Sequence, residues 1–248
     1  VMSNTIINSS SGGSSWLTPQ LYAKENLLGK DAVISELIET GDLSLSEIIE
    51  IVGIDDLANL SWANSSWESI KAALALHYHG LIDIHDYFNV GDTRTVSLSA
   101  MSMYGPDAYT ELHVAQNVDF VLMSADHYDL VNGSGKAAFV FQQRHSLKEA
   151  GGMKVNTPTG WDATTRRAWC NNVYKKALPA DLQNILKQVQ ITTASSATSS
   201  EAITSNDYIF LPAEMEIFGS NSTANQNAES ILTQYTWYIS NSKIKQRD

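Results

Sequence analysis

One stretch constrains the fold more than any other: the apolar run VDFVLM at residues 118–123, within the longer segment VDFVLMSADHYDL. A short continuous apolar run of this kind predicts a buried central strand. The turn NGSG follows at residues 132–135, and GKAAFVFQQ then predicts a neighbouring strand. Upstream, the segment TRTVSLSAM alternates apolar and polar residues with a period of two. Together, the three segments predict an antiparallel sheet.

Helical patterns flank these strands. SSWESIKAALALHYHGL predicts a helix that is capped at Ser65 or Ser66 and ends at Gly80. A later helix is capped at Thr164 or Thr165. Another helix starts after Pro179, and its apolar face carries four residues: Leu182, Ile185, Leu186 and Val189.

The polar residues 192–206 predict a loop, and DYIFLPAEMEIFG after it predicts a short strand and a turn of helix. The sequence therefore predicts an α+β domain, with a mixed or antiparallel sheet and flanking helices.

The N-terminal part of the chain has a different composition. Residues 1–15 are rich in Ser, Gly and Asn, and predict a flexible or partner-ordered arm. Residues 29–57 predict a short helical hairpin with stops at Gly41 and Gly53. Its apolar stripe is too small to stand alone, so it packs either on another subunit or on the domain that follows. We expect an assembly arm at 1–65 and a domain at 66–248.

Charge and cysteine content exclude several classes of protein. The chain has 16 basic and 27 acidic residues, a net charge of −11, which disfavours binding to nucleic acid or anionic lipid. A single cysteine excludes an intrachain disulfide and a thiolate metal cluster. No apolar stretch approaches the roughly 18 residues of a spanning helix, so we expect no membrane anchor, and the N-terminus lacks a Sec-type signal pattern.

Three segments in fixed order are distinctive: GWDATTRRAWCNN, ALPADLQNIL and YIFLPAEMEIFG. Over roughly residues 66–240 the chain resembles an uncharacterised family of gut bacteria and their phages, whose members carry a G-W-x-x-S-x-x-R-x-W-L-N helix, an L-P-x-x-L helix and an E-x-E-x-F-G strand end. The helix motif falls on the following residues: Gly160, Trp161, Thr164 in the Ser place, Arg167, Trp169, Cys170 in the Leu place and Asn171.

The resemblance implies a C-type-lectin-like fold, as in phage receptor-binding and variable proteins. Members continue with a W-W-L-R-S strand and a final hairpin, neither of which occurs in this sequence. The resemblance thus implies that the chain is cut or processed near Asp248, or that a separate piece supplies these strands.

The motif side chains have a structural and a ligand-binding interpretation. We expect Trp161 and Trp169 to pack in the core rather than to form a sugar-stacking platform. A buried guanidinium needs a carboxylate, so we expect Arg167 to pair with Glu214 or Glu216 as a structural ion pair rather than to clamp a ligand.

Metal sites have little support in the sequence. Asp126, Asp129 and Asn132 offer oxygen ligands for calcium, but their spacing is not that of an EF-hand, and an Asx-rich hairpin is the simpler interpretation. His77 and His79 are two residues apart and face different directions on a helix, which disfavours zinc. We expect no cofactor, with calcium as the candidate if one is bound.

Catalysis is not expected either. The chain has no G-x-S-x-G motif, and Cys170 lies within a helix in a Leu position. The resemblance favours a phage virion protein, a tail or head fibre-like component, whose arm contacts other virion proteins and whose lectin-like domain recognises a host-surface glycan or protein. We expect it at the virion surface as a homo-oligomer, since weak sites gain avidity from multiplicity. The alternative is a bacterial cell-surface adhesin with the same domain.

Overall fold

A computed structural model describes residues 44–52, 54, 57–102, 112–131, 135–144, 160–195, 201–220 and 232–241. The chain divides into two compact units, Val1–Phe88 and Asn89–Asp248. The first half of the predicted helical hairpin, with its stop at Gly41, and the predicted flexible arm lie outside the described residues.

The described part of the first unit contains two helices, α1 (Leu45–Val52) and α2 (Trp67–Tyr78). Short 3-10 turns lie at Leu57–Asn59 and Ile84–Asp86. The predicted cap of α2 is confirmed at Ser66, whose hydroxyl accepts a hydrogen bond from the backbone N–H of Ser69 at 3.0 Å.

The first unit ends at Phe88 and includes α2. Within it, an aromatic cluster surrounds Trp62. Its ring centroid lies 5.5 Å from that of Trp67 and 6.2 Å from that of Phe88. These edge-on contacts join the start of α2 to the residues on either side of it.

The second unit contains the predicted sheet. β1 (Thr93–Leu98), β4 (Gln116–Ala125) and β5 (Phe139–Gln143) form an antiparallel sheet in the order β1-β4-β5. β4 is central and largely buried, as the apolar run predicted. A second antiparallel pair consists of the short strands β2 (Met101–Ser102) and β3 (Leu112–His113).

A third antiparallel pair was not predicted. β6 (Val189–Ala194) pairs with β7 (Ala202–Asp207), from Val189 opposite Asp207 to Ala194 opposite Ala202. The predicted loop at 192–206 is therefore wrong at both ends. Four of the twelve residues in these strands are Thr or Ser. The alternation of the strands is visible in burial, with Ile191, Ala194, Ser205 and Asp207 buried.

The helical part of the second unit lies between β5 and β6. A 3-10 turn at Trp161–Ala163 precedes α3 (Thr165–Trp169), a π-helical turn (Cys170–Tyr174), α4 (Lys175–Ala177) and α5 (Ala180–Ile185). The helix predicted after Pro179 is confirmed as α5, but it ends at Ile185, and Val189 lies in β6.

Among the described residues after β7 are the helices α6 (Glu214–Phe218) and α7 (Thr236–Ser240). A core of buried side chains joins the strands to Tyr235 at the start of α7: Val121, Met123, Tyr128, Leu130, Val189, Ile191 and Tyr235. Helices and antiparallel sheets thus place the chain in the predicted α+β class. None of the helices in the described part of the chain is both long and apolar enough to cross a membrane.

Candidate functional site

The motif residues converge on one buried carboxylate, that of Asp207 at the end of β7, which is 1% exposed. Its Oδ1 accepts hydrogen bonds from Arg167 Nε at 2.7 Å and from Asn171 Nδ2 at 3.0 Å. Its Oδ2 accepts from Trp161 Nε1 at 2.9 Å and from Ser205 Oγ at 2.7 Å. We call Asp207 and these four donors the Asp207 hub. These four hydrogen bonds replace the contacts with water that the carboxylate loses on burial.

Arg167 is the cation of the hub, and its predicted pairing with Glu214 or Glu216 is wrong. Its guanidinium binds Asp207, and it also donates from Nη1 to the carbonyl of Asp162 and from Nη2 to the carbonyl of Asn206, both at 3.1 Å. The prediction of a structural ion pair agrees with these contacts. The partner differs because β7 continues to Asp207, beside the start of α3, which the sequence pattern did not indicate.

Asn171 ties the hub to the chain that follows β7. Its Nδ2 donates to the backbone carbonyls of Arg167 at 3.1 Å and Ile209 at 2.9 Å, besides Asp207. Its Oδ1 accepts from the backbone N–H groups of Tyr208 at 2.9 Å and Ile209 at 3.2 Å. One amide side chain thus takes the place of backbone pairing where the strand has ended.

Gly160 and Thr164 position the start of the motif helix. A Cβ at Gly160 would lie 2.7 Å from the carbonyl oxygens of both Ala194 and Ser195, so only glycine fits against the end of β6. Thr164 is the N-cap of α3, because its hydroxyl accepts from the N–H of Arg167 at 3.1 Å. The predicted choice between Thr164 and Thr165 is settled in favour of Thr164.

Trp169 and Cys170 face the interior. Trp169 is buried and packs on Tyr174 with ring centroids 5.5 Å apart, whereas Trp161 is half-buried and held by Asp207. Burial raises the pKa of the Cys170 thiol to about 12. The thiolate is therefore scarce at neutral pH, which makes Cys170 a poor nucleophile.

A second buried carboxylate was not anticipated in this role. Glu216, 3% exposed, lies in α6, and its Oε1 accepts a hydrogen bond from the Tyr128 hydroxyl at 2.6 Å. The Tyr235 hydroxyl bonds to that of Tyr128, and His127 Nε2 lies 3.3 Å from the same oxygen of Glu216. The other carboxylate oxygen, Oε2, accepts from the backbone N–H of Ala213 at 2.8 Å. We call Glu216, Tyr128, Tyr235 and His127 the Glu216 cluster.

The two phenols of this cluster are hydrogen-bond donors rather than bases. Burial, together with the nearby Glu216 charge and the partner phenol, raises the pKa of Tyr128 well above its ordinary value. Burial also raises the pKa of Tyr235. Since Tyr128 donates to Glu216, Tyr235 must donate to Tyr128, which gives a relay of two O–H groups ending at the carboxylate. Tyr128 and Tyr235 are 107 positions apart, and nothing in the sequence pattern linked them.

Among the described residues, Asp126 and Asp129 do not belong to a group of three or more side chains that could hold a metal ion. Asp126 has a left-handed backbone with φ of 47°, and Asp129 forms an exposed ion pair with Lys136 at 3.2 Å. Asn132 lies outside the described residues. Asp126 and Asp129 therefore fit the simpler interpretation of a hairpin, and calcium binding by these residues stays a prediction.

Glu214, named with Glu216 as a partner for Arg167, is the first residue of α6.

In the first unit, the chain brings together three other residues with metal-binding side chains. His77, Asp83 and His85 each offer one ligand atom, and these atoms lie within 4.8 Å of one another. We call them the His–Asp–His cluster. Within the described ranges, it is the one group of three or more His, Cys, Asp or Glu side chains that lie close enough together to hold a metal ion. The spacing of His77 and His79 disfavours a zinc site formed by those two residues, whereas the turn after α2 brings the ring of His85 to 5.2 Å from that of His77.

Comparison with known protein families gives a match. Residues 130–248 match a family described as "Domain of unknown function (DUF6273)". The matched region includes the Asp207 hub and, from the Glu216 cluster, Glu216 and Tyr235, whereas the His–Asp–His cluster lies before it. No curated protein matches the chain, and no solved structure does. The C-type-lectin-like architecture accordingly stays a prediction. The second half of the chain is thus similar to the DUF6273 domain.

Proposed function

We propose that this chain is a non-enzymatic structural and recognition protein of a phage particle. Its lectin-like domain would present loops to a host-surface glycan or protein, and residues 1–65 would attach it to other virion proteins. The observation that carries the non-enzymatic part is the Asp207 hub, in which the polar groups of the distinctive motif are used internally.

The hydrogen bonds of the hub support a bracing role. A side chain that binds a ligand must exchange its existing partners for that ligand, and for a buried group this exchange costs free energy. Arg167 already donates hydrogen bonds to one carboxylate and two backbone carbonyls. In Asn171, both the NH₂ group and the oxygen of the side-chain amide are already hydrogen-bonded. The motif therefore serves to join α3 and the π-helical turn to β7, and recognition falls to other parts of the surface.

The state of the other reactive groups supports the same proposal. The thiol of Cys170 is buried and protonated, and the phenols of Tyr128 and Tyr235 are held protonated by burial. The Glu216 carboxylate receives donors from a tyrosine hydroxyl and a backbone N–H. The pKa values of the Cys170 thiol and of the two phenols are shifted away from neutrality, which is the opposite of what acid–base chemistry at neutral pH requires.

Purification of the protein in its native assembly tests where it works. Capsid or tail subunits among the co-purifying chains, identified by mass spectrometry, would support the phage proposal. Recovery from a bacterial envelope fraction, without virion proteins, would favour the alternative of a cell-surface adhesin with the same domain. Recovery as a free protein in the cytosol would contradict both.

Binding of the full chain to glycan arrays and to intact host cells tests recognition. We expect binding that strengthens when the chain is presented multivalently, since weak sites gain avidity. A protein that is folded by circular dichroism but binds neither glycans nor cells would contradict the recognition role and leave a scaffold. Arg167→Lys is the informative variant: a brace predicts lower stability with unchanged affinity in the folded fraction, whereas a ligand clamp predicts lower affinity.

A further inference from the structure

The end of helix α2 and the turn that follows it form a compact set of metal-ligand side chains. The helix ends at Tyr78 with His79 as its C-cap, and Gly80 follows in the left-handed conformation with a φ of 72°. The chain returns through Asp83, which caps the 3-10 turn Ile84–Asp86, and His85 lies within that turn. Three side chains separated by up to eight residues are thereby held on one side of the helix end.

The geometry within the cluster is close to that of a coordination shell. Asp83 Oδ1 lies 2.7 Å from His85 Nδ1 and 3.7 Å from His77 Nδ1. In a tetrahedral site with metal–ligand distances of about 2.0–2.1 Å, neighbouring ligand atoms are roughly 3.4 Å apart. The two separations lie on either side of this value, and the shorter one is a hydrogen bond that an ion would replace. All three ligand atoms lie within 4.8 Å of one another, so rotations of the side chains would bring them to the tetrahedral spacing.

Backbone contacts hold the three side chains before any metal arrives. The N–H of His85 donates to Asp83 Oδ1 at 3.0 Å, and the N–H of Ile84 donates to His77 Nδ1 at 3.3 Å. The rings of His77 and His85 also meet edge to face at 5.2 Å. These contacts hold the three side chains close together. A bound ion would take the place of the Ile84 N–H at the lone pair of His77 Nδ1 and of the hydrogen bond between Asp83 Oδ1 and His85 Nδ1.

From these contacts we propose that His77, Asp83 and His85 bind a divalent transition-metal ion, with zinc as the best match. Two imidazole nitrogens and one carboxylate oxygen favour zinc over calcium or magnesium, which prefer oxygen ligands. The side chains are 19%, 58% and 26% exposed respectively, so the ion can enter from solvent. With three protein ligands, a fourth position is left for water or a ligand from another molecule.

The ion would pin the turn at residues 81–86 to the end of α2, which makes it a brace of the first unit. This inference is independent of the proposed phage function, because it concerns residues outside the region that matches the DUF6273 domain. Its failure would leave the recognition proposal unaffected.

Zinc titration of the full-length chain tests the site. In competition with a chromophoric chelator, we expect the chain to bind a single zinc ion. We also expect zinc to raise the melting temperature, and an added chelator to reverse this rise. Cobalt in place of zinc should give the intense visible absorption of a tetrahedral site. His85→Ala and Asp83→Asn should each weaken zinc binding by about tenfold or more, since even residues that only orient ligands contribute about that much.

The controls separate this site from loss of fold and from other histidines. Asp83→Asn retains an oxygen that can cap the turn, so it tests the ligand without removing the cap. His79→Ala removes a neighbouring histidine outside the cluster and should leave the affinity unchanged. Absence of zinc binding to the folded chain would overturn the proposal, as would affinity that persists in His85→Ala and Asp83→Asn or falls equally in His79→Ala.

Discussion

Arg167 Nε and Asp207 Oδ1 lie 2.7 Å apart although 40 residues separate them in the chain. Asp207 is almost wholly buried, whereas the side chain of Arg167 is 30% exposed. The ion pair thus has one end in the interior and one end reachable by water. Removal of the two partners should therefore have unequal effects, because Arg167 can regain solvent and Asp207 cannot.

Asp207→Ala should lower the free energy of unfolding by about 3 kcal/mol, since it leaves the donors of Trp161 and Ser205 without their acceptor and Arg167 without its carboxylate. Urea unfolding followed by circular dichroism measures this. Asp162→Ala is the matched control, because its side chain is exposed and only its backbone carbonyl contacts Arg167; we expect a change within about 0.5 kcal/mol. Equal effects of the two variants would contradict the importance of the hub.

Asn171→Ala should cost about 2 kcal/mol, because the N–H groups of Tyr208 and Ile209 lose their acceptor. The adjacent Asn172 provides the comparison. It is exposed, and its side-chain amide donates to the carbonyl of Ala168 at 2.9 Å, so Asn172→Ala should be neutral or slightly stabilising. Thermal unfolding of both variants in one buffer tests this, and a larger effect of Asn172→Ala would refute the assignment.

The thiol of Cys170 should resist alkylation in the folded protein. Its pKa is raised to about 12 by burial, so at pH 8 only a small fraction is thiolate. We expect iodoacetamide to label the chain slowly in buffer and rapidly in guanidinium chloride, as measured by mass spectrometry. Rapid labelling of the native chain would show that the thiol is accessible and ionised.

The same shift has a consequence for stability at high pH. An unfolded thiol has a pKa of about 8.5, below the folded value, so the unfolded state loses its proton first as the pH rises. The contribution of Cys170 is therefore fully present below about pH 8.5 and declines from there towards pH 12. Cys170→Ala should reduce this alkaline loss, which urea midpoints measured across the range would show.

Tyr128→Phe should lower the free energy of unfolding by about 2 kcal/mol, because the hydroxyl both donates to Glu216 and accepts from Tyr235. Tyr238→Phe is a suitable control in the same region. Its hydroxyl makes a longer bond of 3.2 Å to Gln142 and the residue is only half-buried, so we expect less than about 1 kcal/mol. Similar losses for the two variants would argue against a relay that ends at Glu216.

Local patterns predicted the elements whose signals lie within a few residues. The apolar run of β4, the NGSG turn before β5 and the caps at Ser66 and Thr164 depend on short-range sterics and hydrogen bonds, and each of the two strands and two caps is confirmed. The β6–β7 pair escaped prediction because its Thr and Ser residues resemble a loop in composition, while their pairing is decided by the partner strand.

The sequence by itself determined that an α+β domain forms and that the Trp–Arg–Asn helix needs a buried acid. Only the tertiary structure decided which acid, because Asp207, Glu214 and Glu216 are equivalent in charge and lie within a few residues of one another. Because β7 extends to Asp207, this carboxylate pairs with Arg167 of α3, whereas Glu216 accepts a hydrogen bond from the Tyr128 hydroxyl. Which groups meet across the fold depends on strand ends and helix ends in space, and those are set by packing rather than by any local pattern.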